Sequence, residues 1–298
     1  TFSGNVTDAN LATVTVQLYK DGAAEGSPAD ITSSVDGSGN WTWKKYELST
    51  GSAYRVEVTA KDKVNNTGSA TSGTITIDTT APTIKSAEMT DGSLYLTGTG
   101  KAGGRVPTPA LGASYITDGA FTLKGSIEET NFKSAKISVS KNNTTPTETT
   151  ISAAGAWSYE QAKAEGTYVY TITATDAANN VASSSITVMV DTTAPAVEVM
   201  SPAQDEPLST STTTLQGTVS DASSGVAEVT YSIKNSDNSE VSSGTATVTG
   251  SSWKATDVSL GSTEGTLKLT VTAKDKLNNT VTAPERTFYY DTGYPTVT

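Results

Sequence analysis

Acidic residues recur in three sets, about 100 residues apart, and they are the side chains in this sequence best suited to chemistry. Each set has one acid after a short glycine-led segment, one before an Asn-Asn pair and one at the start of an Asp-Thr linker. Carboxylates suit a hard cation such as Ca²⁺, which binds six to eight oxygens, whereas zinc and copper favour nitrogen and sulfur ligands. The first kind, after the glycine-led segment, comprises Asp8, Glu129 and Asp221. The second kind, before the Asn-Asn pair, comprises Asp62, Asp176 and Asp275, and the third kind, in the linker, comprises Asp78, Asp191 and Asp291.

Composition excludes several functional classes. The 298 residues include no histidine and no cysteine, so nucleophilic catalysis of the Ser–His–Asp or Cys–His kind is impossible. The net charge of −11 argues against a nucleic-acid partner, which needs a clustered basic face. No apolar run approaches the ~20 residues of a membrane-spanning helix, so we expect no membrane insertion in this segment. A glycosidase built on paired carboxylates stays open, but identical catalytic sites in every repeat are less plausible than identical structural ones, and we expect no enzyme.

The acids of the second kind end segments that alternate between apolar and polar residues, as a strand with one buried face does. In the third copy the apolar side is Leu267, Leu269, Val271 and Ala273. The Asn-Asn pair that follows tolerates positive φ and therefore predicts a hairpin turn. A landmark glycine and a later tryptophan also recur in each copy. Many short strands between Gly, Asn, Asp and Ser turns, without helical periodicity, predict β-sandwiches.

The Thr-Ala-Pro segments mark the domain boundaries, because proline cannot donate to a sheet ladder and stiffens a short linker. We predict a first domain over 1–78 that lacks its first strand, a second over 79–191 and a third over 192–291. Residues 292–298 then begin a further repeat. Domain two is longer than domain three, and the extra residues predict an insertion within 83–122. We interpret the chain as an internal section of a longer exported protein.

The combination of Ala-x-Asp-x-x-x-Asn, a following Asp-Thr-Thr-Ala-Pro and a mid-domain tryptophan resembles bacterial immunoglobulin-like repeats. Such repeats occur in giant secreted adhesins and other bacterial surface proteins. The resemblance covers all three domains, although the last linker reads Asp-Thr-Gly-Tyr-Pro. It implies an all-β fold of tandem immunoglobulin-like β-sandwich domains in an extended rod, an extracellular or cell-surface location, and often calcium at the domain junctions.

In an immunoglobulin-type sandwich, the acids of the first and second kinds lie at the end where the preceding linker arrives. We therefore predict a structural Ca²⁺ at each junction. The second junction gathers Asp191, Asp221 and Asp275, with a carbonyl oxygen of Asn278 or Asn279. The first junction gathers Asp78, Glu129 and Asp176, with Asn179 or Asn180 nearby. Domain one keeps Asp8 and Asp62, and Asp291 opens the next linker.

A simpler interpretation of the same acids is open. Loop aspartates commonly accept hydrogen bonds from backbone N–H groups two residues on, forming Asx turns, and a linker aspartate can cap a strand end in the same way. In that case no cation is required.

Three functions compete. The first is a spacer of an extracellular bacterial adhesin or surface filament, whose partners are neighbouring repeats of the same polypeptide. The second is a module that binds a host or other cell-surface receptor, or a glycan, through the domain-two insertion with Tyr95 and Tyr115, since binding often lies in loops on a rigid scaffold. The third is a fibre subunit that donates a strand to another molecule.

Overall fold

A computed structural model describes residues 1–89 and 92–297 of the chain. Residues 90 and 91 of the predicted insertion and residue 298 of the predicted further repeat lie outside this description. The described residues form 25 β-strands and two short 3-10 turns, at Thr32–Ser34 and Gly100–Gly103. The all-β class predicted from the sequence is confirmed. No helix in the described part has the length and apolar character needed to cross a bilayer.

The first seven strands form two sheets. They are β1 (Phe2–Asn5), β2 (Leu11–Lys20), β3 (Ala23–Asp30), β4 (Asn40–Trp43), β5 (Ala53–Asp62), β6 (Thr67–Thr71) and β7 (Ile75–Thr76). β1 and β4 form one antiparallel pair. The other sheet has the order β3-β2-β5-β6, with β7 also paired to β5. Their apolar core combines Phe2 and Trp41 from the first sheet with residues such as Val16 and Tyr54 from the second.

The next nine strands also form two sheets. They are β8 (Thr83–Ser86), β9 (Tyr95–Leu96), β10 (Ser114–Thr117), β11 (Phe121–Glu128), β12 (Phe132–Lys141), β13 (Thr147–Ile151), β14 (Gly155–Gln161), β15 (Gly166–Asp176) and β16 (Val181–Val190). One sheet has the order β14-β11-β8, and the other β13-β12-β15-β16-β10-β9. β10 runs parallel to β16, while the pairs of β11 are antiparallel.

The last nine strands form one continuous path that wraps around a core. They are β17 (Ala196–Ser201), β18 (Glu206–Leu208), β19 (Thr212–Ser220), β20 (Val226–Asn235), β21 (Glu240–Thr249), β22 (Ser252–Ser259), β23 (Gly265–Asp275), β24 (Thr280–Thr282) and β25 (Arg286–Tyr290). The order is β17-β19-β22-β21-β20-β23-β25-β18, with β24 on β23. β21 pairs with both β20 and β22, and so connects the two faces of the sandwich.

The chain divides into two compact units. The first comprises Thr1–Pro82, Glu129–Lys133 and Thr175–Ala182. Besides β1–β7, it thus contains the loop after β11 and the turn after β15. The second comprises Thr83–Glu128, Ser134–Ala174 and the residues from Ser183 onward. It contains most of the middle strands, all of β17–β25 and the linker that begins at Asp191.

The alternation and the turns follow the sequence pattern. On β23 the residues Leu267, Leu269, Val271 and Ala273 are buried, and their neighbours are not. The first asparagine of each Asn-Asn pair has positive φ, which allows the tight turn after β5, β15 and β23. These residues are Asn65 at +70°, Asn179 at +71° and Asn278 at +67°.

Each landmark glycine lies opposite a tryptophan on the neighbouring strand. The register pairs are Gly4 with Trp41, Gly125 with Trp157 and Gly217 with Trp253. A Cβ atom at Gly4 would lie 2.7 Å from the Trp41 ring, and one at Gly125 would lie 2.3 Å from the Trp157 ring. Contacts this short do not occur, so the glycine provides the room in which the indole lies on the sheet.

Candidate metal centre at the Asp191 linker

Asp275 is the last residue of β23, and its carboxylate closes the turn to β24. Oδ1 accepts hydrogen bonds from the N–H groups of Leu277 and Asn279, both at 2.8 Å. Oδ2 accepts one from Nδ2 of Asn279 at 2.7 Å. The Asp275 side chain is fully buried. A buried charge of this kind is tolerated because N–H donors surround it.

Asp221 follows β19, and its carboxylate organises the loop to β20. Oδ1 accepts hydrogen bonds from the N–H groups of Ser223 at 3.1 Å and Gly225 at 2.6 Å. Burial raises the pKa of Asp221 above its usual 3.8, and the neighbouring charges of Asp191 and Asp275 raise it further. Ionisation of Asp221 therefore costs more free energy than ionisation of an exposed aspartate.

Asp191 opens the linker between β16 and β17 and is fully buried. Its Oδ1 accepts a hydrogen bond from the N–H of Thr193 at 3.0 Å, and its Oδ2 accepts one from the N–H of Ser224 at 2.8 Å. Its own N–H donates to the carbonyl of Thr117 at 2.9 Å. The linker aspartate is therefore bound to the loop after β19 and to β10.

The three carboxylates meet at one point. One oxygen each from Asp191, Asp221 and Asp275 lies within 4.8 Å of the others, and no other such group of acids occurs among the described residues. Ser224 is only 5% exposed, and its Oγ has no hydrogen-bond partner. Buried polar atoms without a partner are rare, and the backbone N–H of the same residue bonds Asp191. The donor set consists of oxygens alone and suits Ca²⁺.

The first junction is different. Asp176 repeats the geometry of Asp275: it is fully buried and accepts hydrogen bonds from the N–H and Nδ2 of Asn180, at 2.8 and 2.7 Å. Burial pushes the pKa of Asp176 up, but these hydrogen bonds outweigh it and hold the pKa below 3.8. Asp78 and Glu129 instead accept hydrogen bonds from their own loops, at Thr80 N and Asn131 N.

Asp78, Glu129 and Asp176 therefore do not form a compact group like that of the second junction in the described structure. The loops explain the difference. Between β19 and β20 the loop has room for Ser224, whose N–H holds Asp191, whereas β12 begins at Phe132, only three residues after Glu129. The predicted convergence of acids is thus seen at one of the two junctions.

The remaining predicted acids form turns. Asp8 accepts a hydrogen bond from Asn10 N at 2.6 Å, and Asp291 accepts one from Gly293 N at 2.8 Å. Asp62 accepts hydrogen bonds from the N–H groups of Val64 and Asn66, both at 2.9 Å. These contacts are those of the Asx-turn interpretation.

The second asparagine of the pair binds the arriving linker. Nδ2 of Asn279 donates to the backbone carbonyl of Asp191 at 3.3 Å, and Nδ2 of Asn180 donates to that of Asp78 at 3.0 Å. The same amide groups also bond the core aspartates, so each asparagine fastens the arriving linker to the turn. Asn179 and Asn278 provide the left-handed backbone instead. That an asparagine carbonyl oxygen binds the cation stays a prediction.

Glu165 is a site residue that the sequence reasoning missed. Its Oε2 accepts hydrogen bonds from the N–H of Thr192 at 2.7 Å and the hydroxyl of Thr192 at 3.1 Å, and its Oε1 accepts one from Ser223 Oγ at 3.2 Å. Glu264 contacts Thr292 N in the same way, at 2.8 Å. The signal was present as a repeated Glu-Gly-Thr triplet immediately before the core of β15 and β23. Ser224 has no such repeat, and nothing in the sequence marked it.

The extra residues of the second domain contact the same turn. The connection from β8 to β10 spans residues 87–113, whereas the one from β17 to β18 spans only 202–205. Within the longer connection, the N–H of Lys101 donates to the carbonyl of Lys276 at 2.9 Å. Lys276 N in turn donates to Gly225 O at 3.0 Å. The 3-10 turn at Gly100–Gly103 therefore packs beside Asp275 and its loop.

Three family models match successive parts of the chain. A bacterial Ig-like domain (group 3) model matches residues 37–97, a bacterial Ig-like domain model matches 114–192, and a bacterial Ig domain model matches 195–271. No curated protein sequence matches.

Two solved structures show similarity over nearly the whole chain. One is a tetra-tandem repeat in the extending region of a large adhesion protein, at 21% identity and a TM-score of 0.39, covering 98% of this chain and 70% of that one. The other concerns host cell surface retention of a 1.5-MDa bacterial ice-binding adhesin, at 16% identity and a TM-score of 0.30, covering 96% of this chain and 88% of that one. The three family matches follow one another along the chain, which therefore consists of bacterial immunoglobulin-like domains in tandem.

Proposed function

We propose that this chain is a spacer of an extracellular bacterial adhesin or surface filament, and that a Ca²⁺ ion fixes the joint at Asp191. The observation that supports the proposal is the approach of one carboxylate oxygen each from Asp191, Asp221 and Asp275 to within 4.8 Å of the others. The tandem immunoglobulin-like repeats are consistent with a role in spacing rather than in catalysis.

The electrostatics of the cluster favour a cation. Asp191 and Asp275 are fully buried, and carboxylates so close together repel one another in a medium of low polarity. Asp191, Asp221 and Asp275 would each supply one oxygen. A bound Ca²⁺ would neutralise this charge, and the residues that would hold it lie on the linker, the loop after β19 and the end of β23.

Hydrogen bonds that need no metal already connect the elements at the joint. Glu165 holds Thr192, Asn279 holds the carbonyl of Asp191, and Lys101 holds the carbonyl of Lys276. Because these hydrogen bonds already join the residue before β15 to the linker, the linker to the turn after β23, and that turn to the insertion, the ion would complete a framework that exists in its absence. The joint is therefore suited to transmit a fixed angle from one sandwich to the next.

A receptor-binding role for the insertion has less support from its contacts. Of its two tyrosines, Tyr115 is only 3% exposed and accepts a hydrogen bond from Ala110 N at 2.8 Å. Lys101 of the turn at Gly100–Gly103 donates to the carbonyl of Lys276, although Ala102 and Gly103 of the same turn are exposed. A structural role for the insertion is thus the better supported proposal. A host receptor stays a prediction.

Isothermal calorimetry of the chain with CaCl₂ tests the proposal. We expect one dominant binding event that Asp221→Asn weakens at least ~10-fold, because one anionic oxygen of the set is lost. Asp237→Asn is the matched control, since Asp237 is an exposed loop acid whose Oδ1 accepts a hydrogen bond from Ser239 N at 2.8 Å. Absence of calcium binding, or equal weakening by the two variants, would contradict the proposed site.

A further inference from the structure

In each of the last two sandwiches, an early strand runs parallel to the final strand. β10 pairs with β16, and β18 pairs with β25. The hydrogen bonds of a parallel pair are evenly spaced along the two strands. When the two ends of the chain are pulled apart, the strands of such a pair slide past each other, and all their hydrogen bonds carry the force together. Each parallel pair is therefore the part of its sandwich that resists tension.

The pair β10–β16 is firmly anchored. Beyond the paired residues, Gly112 N donates to Ser185 O at 2.6 Å, and at the other end Asp191 N donates to Thr117 O at 2.9 Å. The last three residues of β10 are buried. Both backbone bonds and buried side chains must therefore be lost before β10 can leave β16.

β8, the first strand of the same sandwich, is held less firmly. It has four residues, Thr83–Ser86, which pair with β11, and none of the four is buried. In the third sandwich, the first strand β17 has six residues and buries Val197 and Val199. Nη2 of Arg286 on β25 also donates to the carbonyl of Val199 at 2.7 Å, so the first strand is tied directly to the last.

The insertion lies between β8 and β10, and thus ahead of the parallel pair along the chain. Residues 83–113 would extend to about 100 Å at ~3.3–3.6 Å per residue. The matching connection in the third sandwich spans only 202–205, and its Asp205 N donates to Thr287 O at 2.8 Å. Of these two sandwiches, the second alone has a long stretch of chain that tension can extend without breaking its parallel pair.

The insertion is packed, so its release is a discrete step. Met89 and Leu94 are fully buried. The carbonyl of Leu94 accepts a hydrogen bond from Val106 N at 2.8 Å, and Nζ of Lys101 pairs with Asp118 at 2.6 Å. A segment that is held by its own small set of contacts can open separately from the rest of a domain.

We propose that the insertion is an extensible segment of the second sandwich. Under tension β8 and residues 87–113 detach first, while the pair β10–β16 keeps the remaining strands folded. The chain thereby lengthens by on the order of 100 Å before the sandwich itself is lost. The proposal rests on the proposed spacer function for the source of the tension, and it does not involve a cation.

Single-molecule pulling on the 298-residue chain tests the proposal. The chain has no cysteine, so Thr80→Cys together with Thr193→Cys, both at exposed linker positions, attaches handles on either side of the second sandwich. In EDTA we expect a first step of about 100 Å. A second step of roughly 270 Å should follow at higher force, as residues 114–193 extend.

Two further pairs of handles are the controls. Ser114→Cys with Thr193→Cys pulls directly on β10 and should show the second step alone. Thr193→Cys with Tyr294→Cys pulls on the third sandwich, through residues that are exposed, and should show no early step near 100 Å. In the first geometry, Leu94→Ala should lower the force of the first step and leave that of the second unchanged, because it removes a buried contact of the insertion only.

Three results would overturn the proposal. They are a single transition of the full length in the first geometry, an early step of about 100 Å that persists with the handle at position 114, and equal lowering of both forces by Leu94→Ala. Because the pulling is done in EDTA, its outcome is separate from that of calcium calorimetry, and either proposal can fail without the other.

Discussion

Trp253 lies across Gly217 on the neighbouring strand and bonds the strand beyond it, through its 3.0 Å hydrogen bond to the carbonyl of Glu198. One side chain therefore connects β22, β19 and β17. The arrangement requires glycine between them, because a Cβ at position 217 would lie 1.9 Å from that carbonyl and 2.7 Å from the indole nitrogen. The pair also explains why glycine and tryptophan recur together in each repeat.

Replacing Gly217 by alanine should destabilise the last sandwich by about 1–3 kcal/mol, because the added methyl group must displace either β17 or the indole ring. Hydrogen exchange of the amides of β17 and β22 measures the loss locally. Gly119→Ala is the control, since a Cβ there meets nothing within 4 Å, and it should change stability by less than about 0.5 kcal/mol. Equal effects of the two substitutions would show that the close contact of Gly217 with Glu198 and Trp253 does not determine stability.

The sequence predicted the strands and their buried faces, because period-two alternation and Asn-Asn turns are local signals. The contact between Gly217 and Trp253 could not be predicted in the same way, although both residues were recognised as landmarks. It depends on the register of two strands that are far apart in sequence, and register is set by the whole sheet. Their recurrence marked both residues as landmarks, and the structure shows that Trp253 packs across Gly217.

The candidate site was predicted in part for a related reason. The topology of a sandwich brings the ends of β19 and β23 to the arriving linker, so the meeting of Asp221, Asp275 and Asp191 follows from the fold. Whether Asp78 meets Glu129 and Asp176 in the same way depends on the length of the loop between β11 and β12. No general rule predicts that length effect. The direction in which Asn279 presents its amide depends on side-chain geometry, which the residue type alone leaves open.

Asn279→Ala should destabilise the turn after β23 and release the linker. The substitution removes one donor from the buried carboxylate of Asp275 and the donor to the carbonyl of Asp191, which should cost about 1–3 kcal/mol. Hydrogen exchange at the end of β23, together with limited proteolysis of residues 192–195, measures both effects.

Asn66→Ala is the matched control for this substitution. Asn66 donates to Asp62 at 2.8 Å in the same kind of turn, and there it holds only that carboxylate, which is partly exposed. We expect the smaller loss of about 0.5–1.5 kcal/mol that is typical of a single hydrogen bond. If the two variants behaved alike, the contact to the linker would contribute nothing measurable.

The raised pKa of Asp221 predicts a pH dependence in the absence of calcium. A carboxyl group whose pKa is higher in the folded state than in the unfolded state favours folding at low pH. That contribution is fully present below 3.8, the usual value, and is lost as the pH rises through the higher pKa of the folded state. With EDTA present, Asp221→Asn should therefore be more stable than the unaltered chain at pH 7, and this advantage should disappear below pH 3.8.

Urea unfolding of both proteins between pH 3 and pH 7 checks this expectation. Asparagine keeps an oxygen that can accept the hydrogen bonds from Ser223 and Gly225, so the comparison isolates the charge. Adding saturating CaCl₂ at pH 7 should reverse the order of stability, because only the unaltered chain retains all three carboxylates. An advantage of Asp221→Asn that did not change with pH would contradict the electrostatic explanation.

Gly100→Val should detach the insertion from the turn after β23. Gly100 has φ of +54°, and a Cβ there would lie 2.3 Å from the carbonyl oxygen of Lys276, so valine is excluded both by backbone conformation and by contact. We expect faster exchange of the Lys101 amide and broader NMR signals for residues 276–279, while the exchange of the β19 amides stays unchanged. Gly98→Val is the control, since no atom lies within 4 Å of a Cβ at that position. If Gly100→Val left the Lys101 amide as protected as Gly98→Val does, the insertion would not brace the joint, and its exposed surface would again be the leading candidate for binding a receptor.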